Sequence, residues 1–346
     1  MTESVTGPFS ELLQAVTAWL GDVSDIALPP DLHWQVLLLT LGIALAIWKI
    51  RGGHGSKNAE GRERKAGLVK FLLPRDIYTH VSARVDVGLW LLECLLQPLW
   101  GLALLTTVGI ASESAVIAFL EWSVGPSPAL QPNYAWMLLY SLALLLSYDF
   151  VFYITHYAMH RIPALWVLHR IHHSAEVLTP LTRYREHFLA GPIWTAGSGL
   201  SYGVAAGLFA YLFSGGITEA TVLNIGFFFL LFGFNGSFRH YHVQFHYPRW
   251  LSKWLHSPAM HHIHHSYLPQ HWDRNFAAVT SLWDRLFGTL YIPERDEYTP
   301  WGLGPESQDD YRSFWQNTRA PFRDWYRMLR PEPGVATLTM RRDKPL

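Results

Sequence analysis

Cysteine is nearly missing: Cys94 is the only one in 346 residues. A lone thiol forms no internal disulfide framework and builds no cysteine-ligated zinc or iron–sulfur site. Any metal must therefore be held by nitrogen and oxygen. Charge is also scarce, at 16% of residues against about 25% in soluble domains. The 27 basic residues balance the 27 acidic ones. There is thus no global basic field, and nucleic acid is not an expected partner. The His-Glu-x-x-His signature of hydrolytic zinc sites, the Glu-x-x-His pair of carboxylate-bridged metal bundles and the Gly-x-Gly-x-x-Gly nucleotide loop are all missing. The first thirty residues lack a basic stretch leading into an apolar run and a small-residue cleavage site, so no cleavable signal is expected.

Apolar sequence is abundant: half of the residues are hydrophobic and 15% are aromatic. A mean hydropathy of +0.09 leaves a large soluble protein open, but long apolar runs favour a membrane, because a helix crosses the hydrocarbon core with about 20 residues. Five such runs are predicted: 32–50, 87–105 with apolar sequence continuing to Trp122, 134–157, 188–213 and 217–234, the last two joined by Ser214-Gly215-Gly216. Residues 1–48 hold no Lys or Arg but include Glu3, Glu11, Asp22, Asp25 and Asp31, whereas the next loop and its flanks hold Lys49, Arg51, Lys57, Arg62, Arg64, Lys65, Lys70, Arg75 and Arg84. The positive-inside rule then puts the N-terminus outside and the 51–84 loop in the cytoplasm. Threading five spans from there places 158–187 and everything after 236 on the cytoplasmic face. Residues 8–20 read as an amphipathic helix on the outer surface, with Phe9, Leu12, Leu13, Val16 and Leu20 on its apolar side.

Fifteen of the 18 histidines fall between His156 and His271. Ten of them form four groups: His156-x3-His160, His169-x2-His172-His173, His242-x3-His246 and His261-x2-His264-His265. Residues i, i+3 and i+4 share one helix face, so these read as two pairs and two triples of convergent imidazoles. All four groups fall on one side of the membrane in the topology drawn from charge alone. Neutral imidazole is the commonest ligand for transition metals, and ten donors exceed what one ion needs. The donors suit iron, copper, nickel and zinc alike. An all-nitrogen pair of redox metals beside lipid points to oxygen activation rather than hydrolysis.

Other residues are candidates for supporting roles. Asp149 lies inside a predicted span, where an ionisable side chain is costly, and is expected to accept the free ring N–H of a ligand. Glu186, Asp273, Asn275 and Asp284 are candidates by the same logic, with helix capping as the other role for Asp273 and Asp284. His187 is read as a ligand or a support for one, and His240, His256, His262 and His271 as neighbours or surface groups. Arg183 and Arg185 would bind a lipid phosphate or an electron donor, or simply snorkel. Gly191, Gly197, Gly199, Gly203 and Gly207 stud the 188–213 span, for close helix packing or to leave room for a lipid chain.

The order and spacing of the four histidine boxes resemble the fatty acid hydroxylase/sterol desaturase superfamily. So do Asp149 before Tyr153-x2-His156, Leu165-Trp166 leading into His169, and Trp283-Asp284-Arg285-Leu286-Phe287-Gly288-Thr289 after the last box. The likeness covers about 150 residues, from Asp149 to Tyr291. It implies a non-haem centre of two iron ions that uses O2 to hydroxylate, or less readily desaturate, an unactivated C–H bond of a membrane lipid, with the ten boxed histidines as ligands. It also implies electrons from a reductase chain; with no ferredoxin cysteines and no fused haem module, the donor is a separate partner of ferredoxin or cytochrome b5 type. The expected architecture is an all-α integral membrane helical bundle of four to five spans with a cytoplasmic-face, histidine-rich metal domain. Its divisions are 1–31 (outer segment), 32–148 (transmembrane helices and basic loop), 149–292 (catalytic domain) and 293–346 (a cytoplasmic tail that covers or trails the domain). Rival readings are an O2-independent metal-dependent membrane hydrolase, which would want a carboxylate base among its ligands, and a metal transporter, whose ligands would sit mid-span.

Overall fold

The computed structural model describes residues 34–50, 54–57, 63–65, 67–213, 238–295 and 297–330. Helices α1 (Trp34–Ile50), α2 (Leu68–Leu72), α3 (Arg75–Tyr78), α4 (Val81–Ser123) and α5 (Tyr134–Arg161) form the first half. They are followed by α6 (Pro163–His173), α7 (Gly191–Phe213), α8 (Arg249–Ser252), α9 (Pro258–His264), α10 (Leu282–Leu286) and α11 (Phe314–Leu329). The strands among the described residues form one short antiparallel hairpin, His54–Lys57 against Glu63–Lys65. The protein is thus all-helical in architecture.

Three described helices, α4, α5 and α7, are long and apolar enough to cross a membrane. The predicted 87–105 span is part of the single 43-residue α4, about 65 Å long at 1.5 Å per residue. That is about twice the roughly 30 Å hydrocarbon core. The 32–50 run forms α1, at 17 residues the shorter helix. The 8–20 amphipathic helix and the 217–234 span lie outside the described residues.

The helix boundaries follow local chemistry. Asn133 starts α5 by accepting the Trp136 N–H at 3.1 Å, and Ser313 starts α11 by accepting that of Gln316 at 3.2 Å. Pro163 ends α5, because the residue before a proline is pushed out of the helical region. Ile162 is accordingly extended, at φ −96° and ψ 114°. The chain turns there and restarts as α6 with the proline in its first turn.

Glycine sets the contact between α4 and α7. A Cβ on Gly203 would stand 2.2 Å from the Gly109 carbonyl oxygen, and one on Gly199 2.7 Å from that of Leu105. Neither position admits a side chain at this helix separation. Gly191 and Gly197 instead line a cavity beside the histidines, so the glycines of this span divide between the two expected uses. Residues 297–330 do not trail: Tyr311, Asn317 and Asp324 are fully buried, and α11 packs on α6 and α4.

Candidate metal centre

Nine buried histidines gather in two groups. His156, His160, His169, His173 and His264 form one; His172, His240, His261 and His265 form the other. Within each, the ligand atoms all lie within 4.8 Å of one another. The turn at Ile162-Pro163 folds the end of α5 against α6, bringing His156 Nε2 to 3.0 Å from His169 Nε2. Each triple is split between the groups. On α6, His169 and His173 join the first group and His172 the second; at α9, His261 and His265 join the second and His264 the first. The i, i+4 pair on one side of the helix thus serves one group, and the residue between serves the other.

The nitrogens stand at spacings that suit ligands of a common ion. In the second group, Nε2 of His240 stands 3.1 Å from that of His172 and 2.8 Å from that of His261, which is 3.1 Å from that of His265. Nitrogens bound to one ion at about 2.1 Å stand roughly 3.0–3.4 Å from their neighbours. In the first group, Nε2 of His160, His173 and His264 are buried and have no hydrogen-bond partner, a condition that a bound ion relieves.

Outer partners aim several rings. His156 donates from Nδ1 to the Phe276 carbonyl at 2.8 Å, and His264 from Nδ1 to that of Arg274 at 2.8 Å. His169 donates from Nδ1 to Glu186 at 2.9 Å, and the same carboxylate oxygen lies 3.8 Å from His172 Nδ1. Each bond fixes the proton on Nδ1 and leaves Nε2 free to ligate. Burial holds the rings neutral: it pushes His169 and His264 down to about 3 and His172, His173, His261 and His265 well below the usual imidazole range. Neutral imidazole is the ligating form. The donor set therefore fits two metal ions, and five imidazoles in one group exceed the four ligands of a structural zinc site.

Eight of the ten expected histidines fall in these groups; His242 and His246 do not. His242 donates from Nε2 to the Phe71 carbonyl at 2.8 Å and stands edge-on to Tyr78. His246 lines a separate groove with Arg249 and Glu294. The expectation assumed a helix, but 241–248 is irregular, ending at Pro248, so i, i+4 spacing does not place the two rings on one face. His240, read as a neighbour, enters the second group instead.

The supporting residues also differ from expectation. Asp149 binds no ligand ring; it accepts the backbone N–H groups of Ala278, Val279 and Thr280 and the Thr280 hydroxyl. Asp284 accepts those of Phe276 and Ala277 and the Thr289 hydroxyl. Asp273 lies 3.8 Å from His160 Nδ1 and 3.7 Å from Arg161. Asp273 and Asn275 both adopt positive φ, 58° and 60°, a region their short polar side chains tolerate. Between them is Arg274, whose carbonyl receives His264. Asn275 bonds the backbone of Met260 and Tyr291. His187 lies outside both groups; its Nε2 donates to the Thr318 carbonyl, tying α11 to the start of α7. His271 pairs with Glu297 at 2.9 Å.

Arg185 does not snorkel. It is fully buried and donates to Asp86 at 2.9 Å, to the Ile171 carbonyl at 3.0 Å and to Ser174. It therefore bolts the end of the histidine helix α6 to α4. Arg239 is also buried and donates to the Ala277 and Ala278 carbonyls, with its Nη2 2.9 Å from His261 Nδ1.

A cavity of about 300 Å³ opens beside both groups. Its walls include His156, His169, His172, His240 and His261, facing Phe152 and Trp194 from the spans α5 and α7.

The class defined by this fold and site is a membrane-span helical bundle with a paired histidine centre. Residues 141–289 match the family model described as Fatty acid hydroxylase. The chain is 26% identical over 160 residues to alkylglycerol monooxygenase of Xenopus tropicalis and 27% identical over 159 residues to that of Danio rerio, covering 44% of this chain in each case. The aligned part is 30% of each of those proteins, so the chain spans about a third of the length of the curated relatives it matches. No solved structure matches. The 141–289 segment is thus similar to the fatty acid hydroxylase family, the likeness that the histidine boxes carry in the sequence.

Proposed function

We propose that the protein is a membrane-bound, O2-dependent oxygenase that hydroxylates a C–H bond of a lipid at a centre of two iron ions. The observation that carries this reading is the convergence of nine buried imidazoles in groups of five and four. His156, His160, His169, His173 and His264 would hold one ion and His172, His240, His261 and His265 the other. Bound iron would supply the redox chemistry of O2 activation. The chain's own residues do the rest. Glu186 and the carbonyls of Phe276 and Arg274 keep Nε2 of His169, His156 and His264 deprotonated and aimed inward. Phe152 and Trp194 give the cavity an apolar wall against which a lipid carbon would rest while water is excluded.

The cavity lies between span helices, which supports a substrate drawn from the bilayer. The name shared by the two relatives supports an alkylglycerol as the first lipid to assay. The single cysteine excludes an internal iron–sulfur relay, which supports a separate electron donor. The charge asymmetry of the N-terminal third supports a cytoplasmic location for the centre.

The test is metal analysis of the purified protein together with lipid mass spectrometry. Two irons per chain are expected, and His172→Ala and His264→Ala should each lose iron and product. Full product formation by either variant would contradict the assignment.

A further inference from the structure

We propose that α11 is an interfacial helix whose outer face lies in the headgroup layer of the same bilayer that the spans cross, with anionic lipid as its preferred contact. The proposal rests on the membrane reading of α4, α5 and α7 but on none of the metal chemistry.

Depth comes first. Trp325 donates from its indole to the Ala164 carbonyl at 2.9 Å, three residues beyond the end of α5 at Arg161. The Thr318 carbonyl accepts from His187 at 3.1 Å, four residues before α7 begins at Gly191. The Phe314 ring lies against Gly88 near the start of α4. Three span ends thus meet α11 along its length, which places it at the level where the spans leave the hydrocarbon.

The face turned away from the protein has the matching chemistry. Asn317, Ala320, Pro321 and Asp324 are buried on the inner side. Trp315, Phe322, Tyr326 and Leu329 are 65%, 49%, 59% and 82% exposed. At 3.6 residues per turn these four fall within an arc of roughly 60°. Arg319, Arg323, Arg327 and Arg330 follow on one flank of that stripe, and the one carboxylate of the helix, Asp324, is buried. Arg319 sits over the Trp315 ring and Arg330 over that of Tyr326. Trp and Tyr at the interface with arginines beside them are the residues that seat a helix in headgroups. Arg323 pairs with Asp310 at 3.1 Å and Asp324 at 2.8 Å, while Arg319 and Arg330 keep the flank basic, which favours anionic lipid.

Depth-resolved labelling of the full chain tests this. Cys94→Ser removes the one native thiol, and single cysteines are placed at Trp315, Tyr326 and Leu329. Asp309, 83% exposed, serves as an aqueous control, and Leu99, exposed in mid-span, as a lipid control. Spin-labelled protein is reconstituted in phosphatidylcholine vesicles with and without phosphatidylglycerol. Collisions with oxygen, which partitions into lipid, are compared with those of a water-soluble nickel chelate. The three α11 sites are expected to favour oxygen over nickel at least threefold relative to residue 309, and more so with phosphatidylglycerol. Nickel access equal to that at 309 in both lipids would overturn the proposal. So would protection that appears only on adding a soluble electron-donor protein, which would make the face a protein dock. If residue 99 is also open to nickel, the membrane reading itself fails, and the two failures are thereby told apart.

Discussion

Asp149 and Asp284 share the five successive backbone N–H groups of residues 276–280. Asp284 accepts the first two and Asp149 the last three, at 2.7–3.0 Å. The loop they hold turns its carbonyls to the centre: Phe276 receives His156, and Ala277 and Ala278 receive Arg239. The two carboxylates thus position two cationic or ligating groups without touching either.

Asp149→Ala is expected to strand three buried N–H groups. Each uncompensated group costs about 1–3 kcal/mol. A fall in thermal midpoint should accompany weakened iron binding, because the Phe276 carbonyl that aims His156 shifts with the loop. Thermal unfolding and iron content measured on one preparation check this. An unchanged midpoint would show that the loop is held by other contacts.

His240→Ala and His242→Gln should separate cleanly. His240 belongs to the second group, so its loss should lower bound iron toward one ion per chain. His242 meets the Phe71 carbonyl, and glutamine can still donate there, so iron should stay at two. The opposite pattern in elemental analysis would restore the third box as ligands.

Acid should destabilise the metal-free protein. An unfolded imidazole takes up a proton near pH 6.5, whereas His169 and His264 stay neutral in the fold down to about 3 because they are buried. Between those values the unfolded chain binds more protons, so stability present above about pH 6.5 is lost as pH falls toward 3. The midpoint of metal-free protein should decline steadily from pH 7 to pH 5. A flat or rising profile would mean these rings are not buried as described.

Arg185→Met leaves Asp86 buried and unpaired. Removing one partner of such a pair costs about 3–5 kcal/mol. Since Arg185 also holds the Ile171 carbonyl and Ser174, the variant should lose metal along with stability. Asp86→Asn combined with Arg185→Met should recover part of the stability but not the metal. Recovery of both would reduce the pair to a structural clamp.

Much of this was legible in the residues. The triples at 169–173 and 261–265 come together in the two groups because each sits on a helix or its cap, where the i, i+3, i+4 spacing means one face. At 242 and 246 the same spacing falls on irregular chain, so the two rings stay outside the groups that His240 enters. Asp149 was recognisable as a costly buried carboxylate, but a sequence does not say whether such a group meets a ring or a run of amides. The Asp86–Arg185 bond links residues 99 apart, and no local pattern announces it. The spans α4, α5 and α7 followed from apolar length. The placement of α11 beneath them depended on tertiary bonds to Ala164 and His187.

The most direct test supplies 18O2 to the iron-loaded, full-length protein in lipid vesicles with a chemical or protein reductant, then weighs the lipid product. A lipid heavier by one 18O atom is the expected result. Product labelled only from water, or product formed equally without oxygen, would contradict an oxygenase built on the paired histidine centre.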